Sequence, residues 1–306
     1  MEHKTNPPSA RQIYKELLNY AASRQNALAT NAPLQIKDVF DLAEEVVNHL
    51  KASDDLISLA VLYFDPADLT ISHAANVTIL ATRLAMGLNY SHDQLVQLAS
   101  AGILHDIGTG RISPQIVAKE PAQLTAAELR EFEHHSYLGY ESIQKSAPSL
   151  TFIADVIYQH HEKCNGSGYP RHLRRNELLQ DACILSMIDT YEALIHPRQH
   201  RDALVPPKGI QEIIEQRGTA FAPELVRALI QQISIYPVGC HVQLATGEIG
   251  RVIRINAGTP VRPLVKLLLD KERRPIDGKT LDLKADYLNN ITRCVPPPYD
   301  ISKLLN

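Results

Sequence analysis

The chain has 306 residues, 44% of them hydrophobic, and a formal net charge of −3 at pH 7. A chain of this length and composition can bury a core as one large domain with appendages or as two domains, which excludes a disordered protein. The small net charge argues against polynucleotide binding, and no apolar run approaches the roughly 18 residues of a membrane span, which argues against membrane insertion.

Residues 1–60 predict a segment of short polar helices. Two of them are expected over Arg11–Gln25 and Ile36–Lys51, and Asp38 is a candidate cap for the second helix. No phosphate-binding glycine loop occurs in this segment. It is therefore expected to serve as a small regulatory piece or as a helical brace.

Residues 61–235 predict a helical domain. Ser91 with Gln94 and Thr125 with Glu128 have the spacing of capping boxes, which mark the starts of two helices. Pro223 fits the first position of a later helix. We therefore expect a mainly α fold for this part of the chain.

After Tyr236 the composition changes, and residues 236–306 predict a small β-rich subdomain. Val238–Ala245 and Glu248–Asn256 are rich in strand-forming residues and flank Thr246-Gly247, which predicts a hairpin. Pro263–Asp270 and Thr280–Tyr287 are candidates for two further strands. The predicted fold is thus a helical bundle between an N-terminal helical segment and a C-terminal β-rich piece.

Seven His and Asp side chains of the helical domain fall on faces that otherwise point inward. A single inward His is usually a core residue, and a His-Asp pair can end a helix; but an unpaired buried carboxylate is costly, and five segments carry such groups. Their nitrogen and oxygen donors, without thiolate, favour iron or manganese over structural zinc. The seven candidates are His73, His105, Asp106, His135, His160, His161 and Asp189.

The remaining histidines lie in polar contexts. His3, which lies outside the residues described below, His49, His92, His172 and His241 are expected at the surface, and His134 points about 100° away from His135 around its helix, toward solvent.

Three motifs together resemble an HD-GYP domain, the branch of the HD phosphohydrolase superfamily that hydrolyses the bacterial second messenger cyclic di-GMP. They are Leu104-His105-Asp106-Ile107-Gly108, His160-His161-Glu162 and Gly166-Ser167-Gly168-Tyr169-Pro170. The similarity covers roughly residues 65–235. It implies an HD-type helical bundle.

The resemblance implies a metal-dependent phosphodiesterase with two divalent ions, iron or manganese, held by the seven candidates. Asp106 would bridge the ions, and His105 and Asp106 would be the catalytic residues. A hydroxide shared by the two ions would attack a phosphodiester of cyclic di-GMP in line. The implied substrate-binding residues are Gly166, Gly168, Tyr169, Arg198 and Arg201.

The chain departs from the family pattern at several positions near these motifs. Thr109 replaces a usual Lys, Asn165 a usual Asp, Cys183 a usual Arg, Glu192 a second Asp and His200 a Tyr. Members with three metals carry Glu where this chain has Leu69, so two ions are expected. These departures leave open two alternatives: a catalytically weakened HD-GYP protein that acts as a cyclic dinucleotide sensor or partner-binding module, and hydrolysis of another phosphoester.

The resemblance also allows diguanylate cyclase domains or other signalling proteins as partners. The four cysteines are widely spaced without a Cys-x-x-Cys pair, and the N-terminus has no apolar signal region. Both features predict reduced thiols and a cytoplasmic location.

Overall fold

A computed structural model describes residues 7–36, 38–65, 69–119, 121–198, 201–276, 278–299 and 301–305. The His200 position named above lies outside these residues. The described part contains α-helices that follow the chain in this order: α1 Ala10–Ala29, α2 Val39–Ala52, α3 Asp55–Leu62, α4 Leu69–Met86, α5 His92–Leu104, α6 Pro114–Val117, α7 Ala126–Glu133, α8 His135–Ser146, α9 Thr151–Gln159, α10 Gln180–Ile195, α11 Pro206–Glu215 and α12 Pro223–Gln232.

The first helix is longer than the sequence predicts. It begins after Ser9, whose side chain forms a capping box with Gln12, and it buries Tyr14 and Leu17 against the core. The second helix begins at Val39. Asp38 stands at its N-cap position but makes no side-chain hydrogen bond to the helix, so the predicted cap is corrected.

Other predicted helix starts are confirmed. Ser91 and Thr125 each accept a hydrogen bond from the backbone three residues later, and Gln94 and Glu128 complete the two capping boxes. Pro223 occupies the first turn of α12. These local signals work because the orphan N–H groups of a helix start need a nearby acceptor.

The C-terminal part forms an antiparallel sheet of five strands. The strands are β1 His241–Leu244, β2 Ile249–Arg254, β3 Leu264–Leu269, β4 Thr280–Asp282 and β5 Ile291–Val295, in the spatial order β4-β3-β2-β1-β5. The predicted hairpin is confirmed, with Val242 opposite Gly250. The fifth strand was not predicted; Cys294 in it pairs with Val242 on the free side of β1.

Helix α4 lies at the centre of the helical part. It packs against α1, α3, α5, α10 and α12, and its residues from Ser72 to Thr82 are all buried. The approach to α5 is close, because a Cβ added at Gly102 would lie 3.0 Å from the Cα of Thr78. Among the described helices, none combines the length and apolarity needed to cross a membrane.

The structure corrects one surface assignment. His241, expected in solvent, is only 2% exposed, and the ring of Tyr299 lies 5.2 Å from its own ring. His134 is exposed, as predicted.

Candidate metal centre

The seven candidate ligands converge from helices that are distant in sequence. Helix α4 contributes one from its second turn, α10 contributes one, and the other five stand at helix ends. His105 caps the C-terminus of α5 and Asp106 follows it, His135 opens α8, and the two adjacent histidines follow α9. The seven are His73, His105, Asp106, His135, His160, His161 and Asp189.

The ligand atoms fall into two groups. One group is His73, His105 and Asp189, and the other is Asp106 with His135, His160 and His161; within each group the atoms lie within 4.8 Å of one another. The seven candidates therefore offer two sets of ligand atoms, and each set could hold a metal ion.

The carboxylate of Asp106 lies between the two groups. Its Oδ2 is 4.0 Å from His73 Nε2 and 3.7 Å from His105 Nε2. Its Oδ1 is 3.3 Å from His135 Nε2 and 3.5 Å from His160 Nε2. Each oxygen therefore faces a different group, so this one side chain links the two groups.

Several buried polar atoms of the site have no hydrogen-bond partner among the described residues. They are His105 Nε2, His160 Nε2 and Asp106 Oδ1. Leaving a buried polar atom unpaired costs about 1–3 kcal/mol. Imidazole nitrogens and carboxylate oxygens without thiolate are ligands that divalent ions accept, so the residues present fit a divalent metal centre.

Backbone carbonyls set the orientation of three histidines. The Nδ1 atoms of His105, His135 and His160 donate to the carbonyl three residues earlier, at 2.7, 2.7 and 2.5 Å. A carbonyl can only accept, so each Nδ1 carries the proton and each Nε2 presents a lone pair to the centre. The last carbonyls of a helix have no partner within it, which makes them free for this task.

A carboxylate missed by the sequence reasoning holds the first histidine. Glu192 is buried and accepts a short hydrogen bond from His73 Nδ1, while His73 Nε2 points to Asp189 Oδ1 at 2.9 Å. Glu192 in turn receives Asn76 Nδ2 at 2.9 Å and lies 3.0 Å from His196 Nδ1. Glu192 follows Asp189 by three residues, which places both on the same face of the helix, and this spacing could have identified Glu192 from the sequence.

Electrostatics sort the protonation states of these groups. Burial opposes ionisation of Asp106, but His105, His135 and His160 in their protonated forms outweigh it and hold the pKa of the carboxyl well below its usual range. Burial lowers the pKa of His105 to about 4, so this imidazole is neutral at pH 7. For His73, burial lowers the pKa, but the charge of Glu192 and the hydrogen bonds outweigh burial and raise the pKa to about 10, so its Nε2 has to lose a proton before it can bind a metal ion.

The loop after His161 is held by Glu162, which belongs to neither group of ligand atoms. Its two oxygens accept the backbone N–H groups of Arg171 at 2.7 Å and Leu173 at 3.0 Å. Gly168 fits closely here, since a Cβ would lie 2.3 Å from the His161 carbonyl. The motif residue Glu162 therefore shapes the loop.

Of the predicted substrate-binding residues, three border a cavity of about 810 Å³ that opens on the centre. Tyr169, whose ring stacks on His161 at 4.6 Å, lines it with Arg198 and Arg201. Gly166 and Gly168 do not line this cavity. Gly166 has a φ of 78°, which suits a residue without a side chain.

The departures from the family pattern have local explanations in two cases. Asn165 Oδ1 accepts the backbone N–H of Ser167 at 3.0 Å and its hydroxyl at 2.7 Å, bonds that a carboxylate oxygen would accept equally. Thr109 is buried, and its hydroxyl donates to the backbone carbonyl of Asp106 at 2.6 Å. Cys183 borders a small separate cavity with Cys164.

Two further elements of the cavity wall were not predicted. Helix α1 contributes Ala22, Gln25 and Asn26, and Lys119 contributes a cation paired with Glu128 at 2.5 Å. Gln25 Nε2 also reaches the Thr109 hydroxyl at 3.3 Å. Contacts of this kind join segments far apart in sequence, so periodicity could not show them.

These features agree with the family comparison: the chain belongs to the HD domain family, whose model matches residues 58–225. A second model, a KOW domain associated with HD domain, matches residues 241–303 and covers the five-stranded sheet.

Particular relatives confirm the HD-GYP type. A cyclic di-GMP phosphodiesterase of Pseudomonas aeruginosa is 28% identical over 79% of this chain and 58% of its own length. One of Thermotoga maritima is 29% identical over 53% and 44%, and a 3'3'-cGAMP-specific phosphodiesterase of Vibrio cholerae is 29% identical over 64% and 45%. The chain thus spans about half the length of these curated relatives.

The fold also matches a solved structure. An HDG"Y"P protein from Bdellovibrio bacteriovorus superposes with a TM-score of 0.61 at 18% identity, covering 74% of this chain and 73% of that one. The predicted mainly α, HD-type fold is confirmed.

Proposed function

We propose that the protein is a metal-dependent phosphodiesterase that hydrolyses cyclic di-GMP. The observation that carries the proposal is the position of Asp106, whose two carboxylate oxygens face two separate groups of ligand atoms. The names of the Pseudomonas and Thermotoga relatives support the substrate. Two ions, iron or manganese, would be held by His73, His105, Asp106, His135, His160, His161 and Asp189.

Divalent ions bound there would supply Lewis acidity, lowering the pKa of a coordinated water and neutralising charge on the phosphate oxygens. The protein's own residues do the rest. Asp106 and the carbonyl-fixed histidines hold the ligand atoms in place before substrate arrives, and this preorganisation favours the transition state. Arg198 and Lys119 bring positive charge to the cavity wall, where planar guanidinium groups suit phosphate.

The cavity suits a ligand of this kind. At about 810 Å³ it lies in the upper half of the range of roughly 300–1,000 Å³ found for small-molecule sites. Tyr169 offers a ring at its edge, and Arg201, which donates to the carbonyls of Leu194 and Ala193, is held at its rim. We propose Tyr169, Arg198 and Arg201 as substrate contacts, with Gly166 and Gly168 shaping the adjoining loop.

The sensor alternative is not favoured. Thr109 and Asn165, which differ from the family pattern, are not among the seven ligand candidates, and both make hydrogen bonds that order the site.

We also propose a division into residues 1–60, 61–235 and 236–306, a cytoplasmic location, and diguanylate cyclase domains or other signalling proteins as partners.

The test uses the whole chain, loaded anaerobically with iron or manganese and incubated with cyclic di-GMP. Turnover to the linear dinucleotide or GMP is expected, and His105→Ala or Asp106→Ala should abolish it. His134→Ala is the matched control, because this exposed histidine adjoins His135 without facing the centre. Tight nucleotide binding without turnover would instead identify a sensor, and a folded protein that binds no metal would refute the proposal.

A further inference from the structure

The N-terminal helix α1 is joined to the metal centre by a chain of buried hydrogen bonds. The Tyr14 hydroxyl donates to Asn76 Oδ1 at 2.6 Å, and Asn76 Nδ2 donates to Glu192 Oε1 at 2.9 Å. The other oxygen of Glu192 accepts from His73 Nδ1. Three side chains therefore connect α1 to a ligand candidate of the group formed by His73, His105 and Asp189.

Every link of this chain is shielded from water. Tyr14 and Asn76 are fully buried, and Glu192 and His73 are nearly so. Burial, with Glu192 nearby, raises the pKa of the Tyr14 hydroxyl well above its usual range, so the hydroxyl keeps the proton it donates. In a low-dielectric interior such hydrogen bonds are strong and directional.

This series of hydrogen bonds also fixes the orientation of the Asn76 amide. Its amide oxygen accepts from the Tyr14 hydroxyl, and its nitrogen donates to Glu192 and to the carbonyl of Tyr63 at 3.2 Å. Without the Tyr14 hydroxyl, the amide oxygen loses its donor, and only the bonds of the nitrogen still hold the amide in place. A turned amide would present its oxygen to the Glu192 carboxylate and repel it.

We propose that Tyr14 is a positioning residue for the ion held by the His73 group, acting through Asn76 and Glu192. The inference rests on the metal centre proposed above. It assigns a role in the site to a helix that lies outside the matched HD domain region, residues 58–225. None of these hydrogen bonds reaches the group of Asp106, His135, His160 and His161, so the ion of that group should be weakened less.

The direct test is Mn²⁺ titration of the metal-free full-length protein by calorimetry. Wild type should bind two ions, and Tyr14→Phe should weaken one of them by about three- to tenfold, below the 10–100-fold typical when a group that touches a ligand is removed. His135→Ala disables the other group and thus assigns the two dissociation constants. Tyr191→Phe is the matched control, since its buried hydroxyl has no partner among the described residues.

A mutant cycle separates positioning from a general effect on packing. Glu192→Gln should weaken the same ion by 10–100-fold, and adding Tyr14→Phe to it should cause no further loss. Asn76→Ala breaks the chain at its middle and should match Tyr14→Phe, which keeps the test decisive if one variant folds poorly.

The outcomes are distinguishable. Equal weakening of both ions, an unchanged Tyr14→Phe protein, or additive effects in the double variant would overturn the role of Tyr14 and leave the metal centre standing. A folded wild-type protein that binds no ion would overturn both proposals.

Discussion

Replacing Glu162 by Gln tests whether this motif residue holds the loop or binds metal. Both carboxylate oxygens accept backbone N–H groups, from Arg171 and Leu173, and the side chain is 1% exposed. Gln keeps one acceptor but turns an NH₂ toward the second N–H, so one hydrogen bond to a charged group is lost and a buried donor is left unpaired. The expected loss of stability is about 3 kcal/mol, confined largely to the loop.

The assay is hydrogen exchange of residues 165–174 together with metal analysis and kcat/KM for cyclic di-GMP. Glu162→Gln should raise exchange in this loop and lower kcat/KM while the metal content stays at the wild-type value. Glu177→Gln is the matched control, because Glu177 accepts the Arg174 N–H at 2.8 Å in the same loop but is exposed. Loss of metal with normal loop protection would show that Glu162 is a ligand and refute this reasoning.

Three other variants have defined outcomes. Burial lowers the pKa of His241 to about 4, so this residue contributes a loss of about 3 kcal/mol of stability as pH falls from about 6.5 to 4; in urea melts the total loss should be smaller by this amount in His241→Gln and unchanged in His134→Gln. Lys119→Met should raise KM for cyclic di-GMP several-fold in steady-state kinetics, because a cation leaves the cavity wall. Gly110→Ala should lower Tm by several degrees in calorimetry, since a Cβ would lie 2.3 Å from the Gln25 carbonyl.

The convergence of the ligand candidates could be predicted because each one leaves a local trace. His73 repeats the spacing of the apolar residues on its helix, and His160 and His161 follow Ile157 at helical steps. A buried polar residue on an apolar stripe is visible in one sequence. The split of the seven into two groups, with Asp106 between them, depends on how five helices pack, which a single sequence does not show.

The supporting contacts were harder to predict for the same reason. Glu192 was noticed only as a departure from a family pattern, although its bond to His73 joins residues 119 positions apart. The strand Ile291–Val295 was missed because it has exposed residues and no clear alternation. Burial of His241 likewise depends on residues far away in sequence, such as Tyr299, whose ring lies 5.2 Å from the imidazole.

The role of helix α1 is the feature for which the prediction from sequence and the structure differ most. Its composition suggests a polar brace, yet one end reaches His73 through Tyr14 and the other borders the cavity through Gln25. Gly110 meets the Gln25 carbonyl so closely that the backbone of α1 is fixed against the segment after Asp106. Thr109 itself borders the cavity, where its hydroxyl accepts from Gln25 Nε2 and donates to the backbone carbonyl of Asp106. The residue that stands in place of the family's usual lysine therefore joins α1 to the segment that carries Asp106.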